Sequence, residues 1–216
     1  MYSEHQSAAS RKSPVGPAVK RLFDVLACTA ALILLLPLLA ILAVSVKLSS
    51  AGPAFFVQER AGLKGRPFRM LKFRTMTGMP RPNQTDWSAA EEARITHVGR
   101  FLRAFGLDEL PQLLNIIRGD MSIVGPRPPL LAQVPGFTDP ERRMMLMRPG
   151  VTGLSVVRGR YLLSYEERKL CNVEYVDRWS LGLDASILLK TVVVVLGRRN
   201  AVELHAVPAG RSGART

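Results

Sequence analysis

"VKRLFDVLACTAALILLLPLLAILAVSVKLSSAGP" (residues 19–53) decides the architecture. Between Arg21 and Lys47 it holds twenty-five residues whose only charge is Asp24. A straight helix over that stretch reaches roughly 37 Å, enough to cross a hydrocarbon core of about 30 Å. A secretory signal fits poorly, because the apolar part is too long and "KLSSAGP" offers no small-residue cleavage site. The stretch therefore predicts a membrane-embedded helix, and its path has two readings. Lys20 and Arg21 stand before it and Lys47 after it, while residues 60–81 add seven basic residues and no acid. Positive flanks favour the cytosol on both sides, which one straight span cannot satisfy. Pro37, near the middle, removes an amide donor and bends a helix. One reading is a helix that enters, breaks at Pro37 and returns. The other is an ordinary kinked span, since prolines are tolerated there.

Working outward, the rest of the chain supplies a soluble-looking body. Its 216 residues suffice for one core, and 47% hydrophobic content excludes a disordered chain. A net charge of +13 favours anionic partners: nucleic acid, phosphorylated substrates or an acidic membrane surface. Cys28 and Cys171 form no CxxC pair, which argues for a reducing compartment and against a disulfide framework. His5, His97 and His205 are too scattered for a His-rich zinc site. Residues 1–19 and 198–216 read as flexible tails, 20–48 as the membrane helix, and 49–197 as the folded body.

Within that body, "AFFVQ" and "FRMLKF" predict short strands around a turn. "MPRPNQTDWSAAEEA" reads as a polar loop. In "RITHVGRFLRAF", Ile95, Val98, Leu102 and Phe105 share a helical face. Leu110, Leu113, Leu114 and Ile117 predict a helix from about Asp108 to Arg118, stopped by Gly119, with Pro111 tolerated in its first turn. "RPGVTGLSVVRGR" reads as a Gly-rich loop and "SYEERKLCNVEYVDRW" as a helix. "SLGLDASILLKTVVVVLGRR" predicts a buried or membrane-surface helix, although its valine run also suits a strand.

The chemistry concentrates in "GLDELPQLLNIIRGDMSIVGPRPP" (residues 106–129). Asp108 opens a helix, where unpaired amides and the positive dipole end favour its charge. Such a carboxylate can cap, attack or bind a metal. The same helix end attracts phosphate, and a divalent cation held with help from Glu109 would let carboxylate and phosphate share one site. Arg103 and Arg127 suit phosphate oxygens, because guanidinium meets them bidentately. On the residues alone, a plain helix cap with solvated arginines explains the pattern as well.

The motifs "KRLFD", the Pro-containing apolar helix, "GPAFFVQERAGLKGRPFRMLKFRTM", "GRFLR", "LDELPQLLNIIRGDMSIVGPRP", "RPGVTG" and "YVDRWSLGLDASILLKT" follow one another from about Lys20 to Leu196. In that order they resemble the bacterial sugar transferase family, the monotopic phosphoglycosyl transferases. The resemblance implies an α+β, mostly helical domain with an N-terminal re-entrant helix broken at Pro37. It also implies amphipathic surface helices and short strands, on the cytosolic face of the inner membrane. It implies transfer of a sugar phosphate from a UDP-sugar to polyprenyl phosphate, with release of UMP and with Mg²⁺ as cofactor. Asp108 is then the nucleophile that carries the phosphosugar, and Glu109 supports the metal beside it. Arg103 and Arg127, with Lys72, Arg74, Gln112 and Arg148 of the matched motifs, are the expected phosphate and substrate contacts. Membrane lipids are the surroundings, a homodimer is compatible, and nucleic acid is not an expected partner.

The chain departs from the family pattern in places. Leu36 stands where Ser often precedes the helix-breaking proline, and Gly106 where Ser often precedes "LDELP". "LSVVRGR" (residues 154–160) replaces a common "WAQVNGR", and Asn172 replaces a common acid. The substrate choice near Leu154 to Arg160 therefore does not transfer. With no large multi-span N-terminal region, the chain reads as a minimal catalytic form. Two other classes stay open: an inactive membrane scaffold of the same fold, and a membrane-anchored nucleic-acid-binding protein, which has the charge but no recognition motif.

Overall fold

The structure, a computed structural model, describes residues 15–78, 92–159 and 162–196. It is mostly helical, with two small two-stranded sheets. Helix α1 (Val15–Ser49) continues through Pro37 and begins in the stretch expected to be tail, so Val15 to Val19 are helical. Among the described residues it is the one helix long and apolar enough to cross a membrane. Its middle is bare: Ile33 is 71% exposed and Leu34 79%. Its buried residues are Asp24 and Cys28 toward one end, and Leu42 and Val46 toward the other. Both ends pack on the same body. Cys28 joins Phe68, Met70, Ile116 and Met121, while Leu42 and Val46 join Phe73 and Leu102.

Strands β1 (Phe55–Ala61) and β2 (Pro67–Phe73) form the expected antiparallel hairpin, in register from Phe55 opposite Phe73 to Ala61 opposite Pro67. Along β1 the inward positions are Phe56, Gln58 and Arg60. Most of the polar loop that follows the hairpin lies outside the described residues. Helix α2 (His97–Phe105) is shorter than its apolar periodicity suggests. Thr96 caps it by accepting the Gly99 amide at 2.9 Å, and Ile95 pairs with Met76 in an isolated bridge instead.

The helix expected from Asp108 to Arg118 is split. Leu107–Glu109 form one 3₁₀ turn and α3 (Gln112–Arg118) follows. Pro111 has no amide to donate to the turn before it, so the regular ladder starts only beyond it. The amides of Leu110, Leu113 and Leu114 make short-range bonds to Leu107, Leu110 and Pro111 across the break. Gly106, at φ 67°, joins α2 to this turn in the left-handed region, where glycine carries no Cβ penalty.

The presumed Gly-rich loop holds regular structure. Strand β3 (Ser122–Val124) pairs in parallel with β4 (Gly150–Thr152), and α5 (Leu154–Arg158) follows. A Cβ on Gly150 would fall 2.1 Å from the Gly125 nitrogen, and one on Gly153 2.2 Å from the Gly125 oxygen. These glycines let two backbone segments touch. A short helix α4 (Asp139–Arg142) precedes β4, and α6 (Tyr165–Arg178) starts at a Ser164–Glu167 capping box. The valine-rich stretch is helical as α7 (Leu181–Leu196). Val124, Leu154, Tyr175, Val176, Trp179 and Ile187 form the core where β3, α5, α6 and α7 meet.

A polar cluster joins α1 to α7. Lys20 Nζ (2.7 Å), Tyr175 Oη (2.7 Å) and Trp179 Nε1 (3.2 Å) all donate to the Asp184 carboxylate. Asp24, the single charge of the apolar run, accepts from Ser122 Oγ at 2.7 Å and the Ile123 amide at 3.2 Å. Burial, with Asp184 beside it, pushes the Tyr175 phenol pKa up. The residues around this cluster also line a cavity of about 240 Å³.

Candidate active site

The acidic pair sits in the turn between α2 and α3. Asp108 is 7% exposed. Glu109 Oε1 accepts from Lys72 Nζ of β2 at 2.9 Å, and Arg127 Nη1 lies 3.7 Å from the same oxygen. One cleft is lined by Arg60, Met70, Lys72, Glu109, Gln112, Arg127, Pro128 and Gly150. Four of the residues expected from sequence thus meet there: Lys72, Glu109, Gln112 and Arg127, with Asp108 next in the chain.

Arg103, Arg74 and Arg148 do not line that cleft. Arg103, in the last turn of α2, donates from Nε to Thr75 Oγ1 at 2.9 Å. Arg74 donates from Nη2 to the Val46 and Ser50 carbonyls at 3.3 and 2.7 Å, closing the C-terminal end of α1. Arg148 donates from Nε to the Gly119 carbonyl at 2.9 Å, beyond the C-terminal end of α3. Helix ends leave carbonyls unsatisfied, and cations suit them there. Neither Arg74 nor Arg148 lines the cleft.

Three residues outside the expected contact set hold the site together. Asn115, fully buried on α3, accepts the Leu71 amide at 3.0 Å and donates to the Arg69 carbonyl at 2.8 Å. It thereby grips β2 on both sides of Met70, just ahead of Lys72. Asn172 of α6 accepts the Arg127 amide at 3.1 Å and holds the "GPRP" segment. Arg60 donates to Gln58 and to the Pro128 carbonyl, and burial, then Arg127 nearby, push its pKa down to about 10. The available signal for Arg60 is phase: polar Gln58 and Arg60 fall on the inward face of an alternating strand.

The family model described as "Bacterial sugar transferase" matches residues 15–198. The chain belongs to that family. This sugar transferase is 41% identical over 202 residues to the Bacillus subtilis (strain 168) "Uncharacterized sugar transferase EpsL", covering 89% of the chain and 95% of the relative. It is 40% identical over 199 residues to the Rhizobium meliloti (strain 1021) "Exopolysaccharide production protein ExoY", covering 84% and 87%. It is 43% identical over 192 residues to a Caulobacter vibrioides "UDP-glucose:undecaprenyl-phosphate glucose-1-phosphate transferase", covering 84% and 71%.

The donor set of this sugar transferase suits a hard divalent cation. Asp108 and Glu109 are adjacent oxygen donors, and no group of three metal-binding side chains occurs among the described residues. Mg²⁺ is commonly held by one or two carboxylates with substrate phosphates completing the shell, so the pair fits that mode and not a closed protein cage.

Proposed function

We propose that this enzyme transfers a sugar 1-phosphate from a UDP-sugar to a polyprenyl phosphate such as undecaprenyl phosphate, releasing UMP, in two displacements through Asp108. The observation that carries this reading is the convergence of Lys72 and Arg127 on Glu109 beside the buried Asp108. The name of the Caulobacter relative supports the two substrates.

In the first displacement an Asp108 carboxylate oxygen bonds to the sugar-proximal phosphorus. The bridging P–O bond to UMP breaks, and UMP leaves with the electron pair. In the second, an oxygen of the lipid phosphate bonds to that phosphorus and the acyl-phosphate bond breaks, restoring Asp108 and leaving a sugar diphospholipid. A covalent carboxylate splits one meeting of anions into two positioned steps. Mg²⁺ bound by Asp108 and Glu109 would supply charge neutralisation to the phosphate oxygens. Lys72 orients Glu109, and Arg127 presents its guanidinium at the same oxygen, so the cations bias the cleft toward phosphate before substrate arrives.

The docking of both ends of α1 on one body supports the re-entrant reading. Arg21 donates to the Ile116 and Ile117 carbonyls near one end, while Leu42 and Val46 pack near the other. Ends tied to the same body belong on the same side of a bilayer, and the bare middle around Pro37 is then the part that enters it. Cysteines placed at Ser10 and at Arg66 should both resist impermeant reagents in intact cells. External labelling at Ser10 would establish a spanning helix.

Incubation with a panel of UDP-sugars, with and without polyprenyl phosphate, tests the chemistry. A UDP-sugar alone should release at most about one equivalent of UMP and leave a phosphosugar on Asp108. Absence of UMP release across the panel would favour the inactive scaffold.

A further inference from the structure

Arg60 brings to the cleft a positive charge that makes no ion pair among the described residues. Its Nε and Nη2 donate to Gln58 Oε1 at 3.1 and 2.6 Å, and its Nη1 to the Pro128 carbonyl at 3.1 Å. A guanidinium has more N–H donors than these acceptors use. Around it the lining holds three cations, Arg60, Lys72 and Arg127, and one carboxylate, Glu109. That carboxylate already faces Lys72 and Arg127. Partly dehydrated cations in excess of their counter-charges are costly until an anion joins them.

A tether for the 125–130 segment is the simpler role for Arg60, and it explains too little. The Ala61 amide already bonds the Pro129 carbonyl at 3.0 Å, and Arg60 pairs with Leu130 through the backbone. One further bond to Pro128 needs a single donor and no charge. Gln58, from the same face of β1, instead fixes the plane of the guanidinium from one side, as a residue does when the opposite edge has a ligand to meet.

We propose that Arg60 is a phosphate-binding residue of the donor subsite, meeting the diphosphate of the sugar nucleotide with the guanidinium edge that Gln58 and Pro128 leave open. Gln58 is its positioning residue. This rests on the sugar-nucleotide reading above and adds a contact to it. The sugar nucleotide brings two linked phosphates, which match the cationic surplus, whereas the lipid acceptor brings one.

The test uses the full chain in lipid nanodiscs with Mg²⁺. Arg60→Gln should raise the KM for the UDP-sugar roughly 10- to 100-fold, the scale of a lost charged hydrogen bond, and leave the KM for polyprenyl phosphate within about twofold. Inorganic pyrophosphate titrated calorimetrically should bind Arg60→Gln weaker by a similar factor. Arg60→Lys, which keeps the charge and a donor for Pro128, should recover part of both losses and guards against a misfolded Gln variant. Equal pyrophosphate affinity in wild type and Arg60→Gln would overturn the proposal, as would a fall in kcat with both KM values unchanged. If the wild type releases no UMP from any UDP-sugar, the transferase reading fails, and the pyrophosphate comparison still decides the role of Arg60.

Discussion

Where α1 meets α7, every carboxylate is answered: Asp184 takes donors from Lys20, Tyr175 and Trp179, and Asp24 takes Ser122 and the Ile123 amide. In the cleft at the start of α3 the balance tips the other way, with three cations around Glu109. Both clusters use acids and bases. A cluster whose charges are met within the protein fastens elements together. A cluster with a surplus of one sign is incomplete until a ligand arrives, so the surplus indicates function better than burial does.

Substitutions that separate stability from turnover would break or sharpen this contrast. The largest effect belongs to Asp108→Asn, nearly isosteric with the acid. Turnover should fall at least about 10³-fold, because the amide cannot attack, while the denaturant midpoint stays close to wild type. Glu109→Gln should also be severely impaired. Near wild-type turnover by a folded Asp108→Asn would reduce the pair to a structural turn.

Asp184→Ala should behave in reverse. It strands Lys20 and two buried donors, and should cost roughly 3 kcal/mol in denaturant unfolding with both KM values unchanged in the folded fraction. A change in UDP-sugar KM with intact stability would mean that the α1–α7 cluster is not merely a fastening. Asn172 stands between the two kinds. Asn172→Leu removes the acceptor for the Arg127 amide and should lower kcat/KM about tenfold, whereas Asn172→Asp keeps the acceptor and most of the activity.

The smallest effect is expected from a third, exposed cluster, Arg158–Glu174–Arg178, in which hydrogen bonding from Arg158 lowers the Glu174 pKa to about 2. A carboxylate with a depressed pKa stabilises the fold above its ordinary range near 4.5. That contribution is lost as pH falls through about 2. Glu174→Gln should therefore cost under about 1 kcal/mol at neutral pH and flatten the acid limb of a stability curve.

The sequence made the periodic elements legible: the long apolar helix, the hairpin, α6, and the apolar face of α2. It misled where elements are shorter than their periods. "RPGVTG" and "LSVVR" contain a three-residue strand and a five-residue helix, too brief to display alternation or a helical face. The split before α3 follows from Pro111: it has no amide to give the Leu107 carbonyl, which accepts the Leu110 amide in a tighter turn instead. At the site, Lys72, Glu109, Gln112 and Arg127 come together as the motifs imply. Arg74 and Arg148 go to helix-end carbonyls, because the partner of a basic side chain is set by which backbone lies near it. The partners of Asn115 and Asn172 are illegible for the same reason: each is defined by a strand or loop distant in the chain.

Asn115 has a bearing on how copies of the enzyme coexist. A two-stranded ribbon ordinarily exposes a row of unpaired amides and carbonyls along each border, ready to recruit another chain. Here the side-chain amide of Asn115 occupies the free border of β2 at Leu71 and Arg69, and Leu130 covers the free border of β1 at Arg60. Proteins gathered at a membrane surface collide often, and an open border there would seed intermolecular β-assembly. Recruitment along β2 would first have to evict a fully buried amide from both of its backbone bonds.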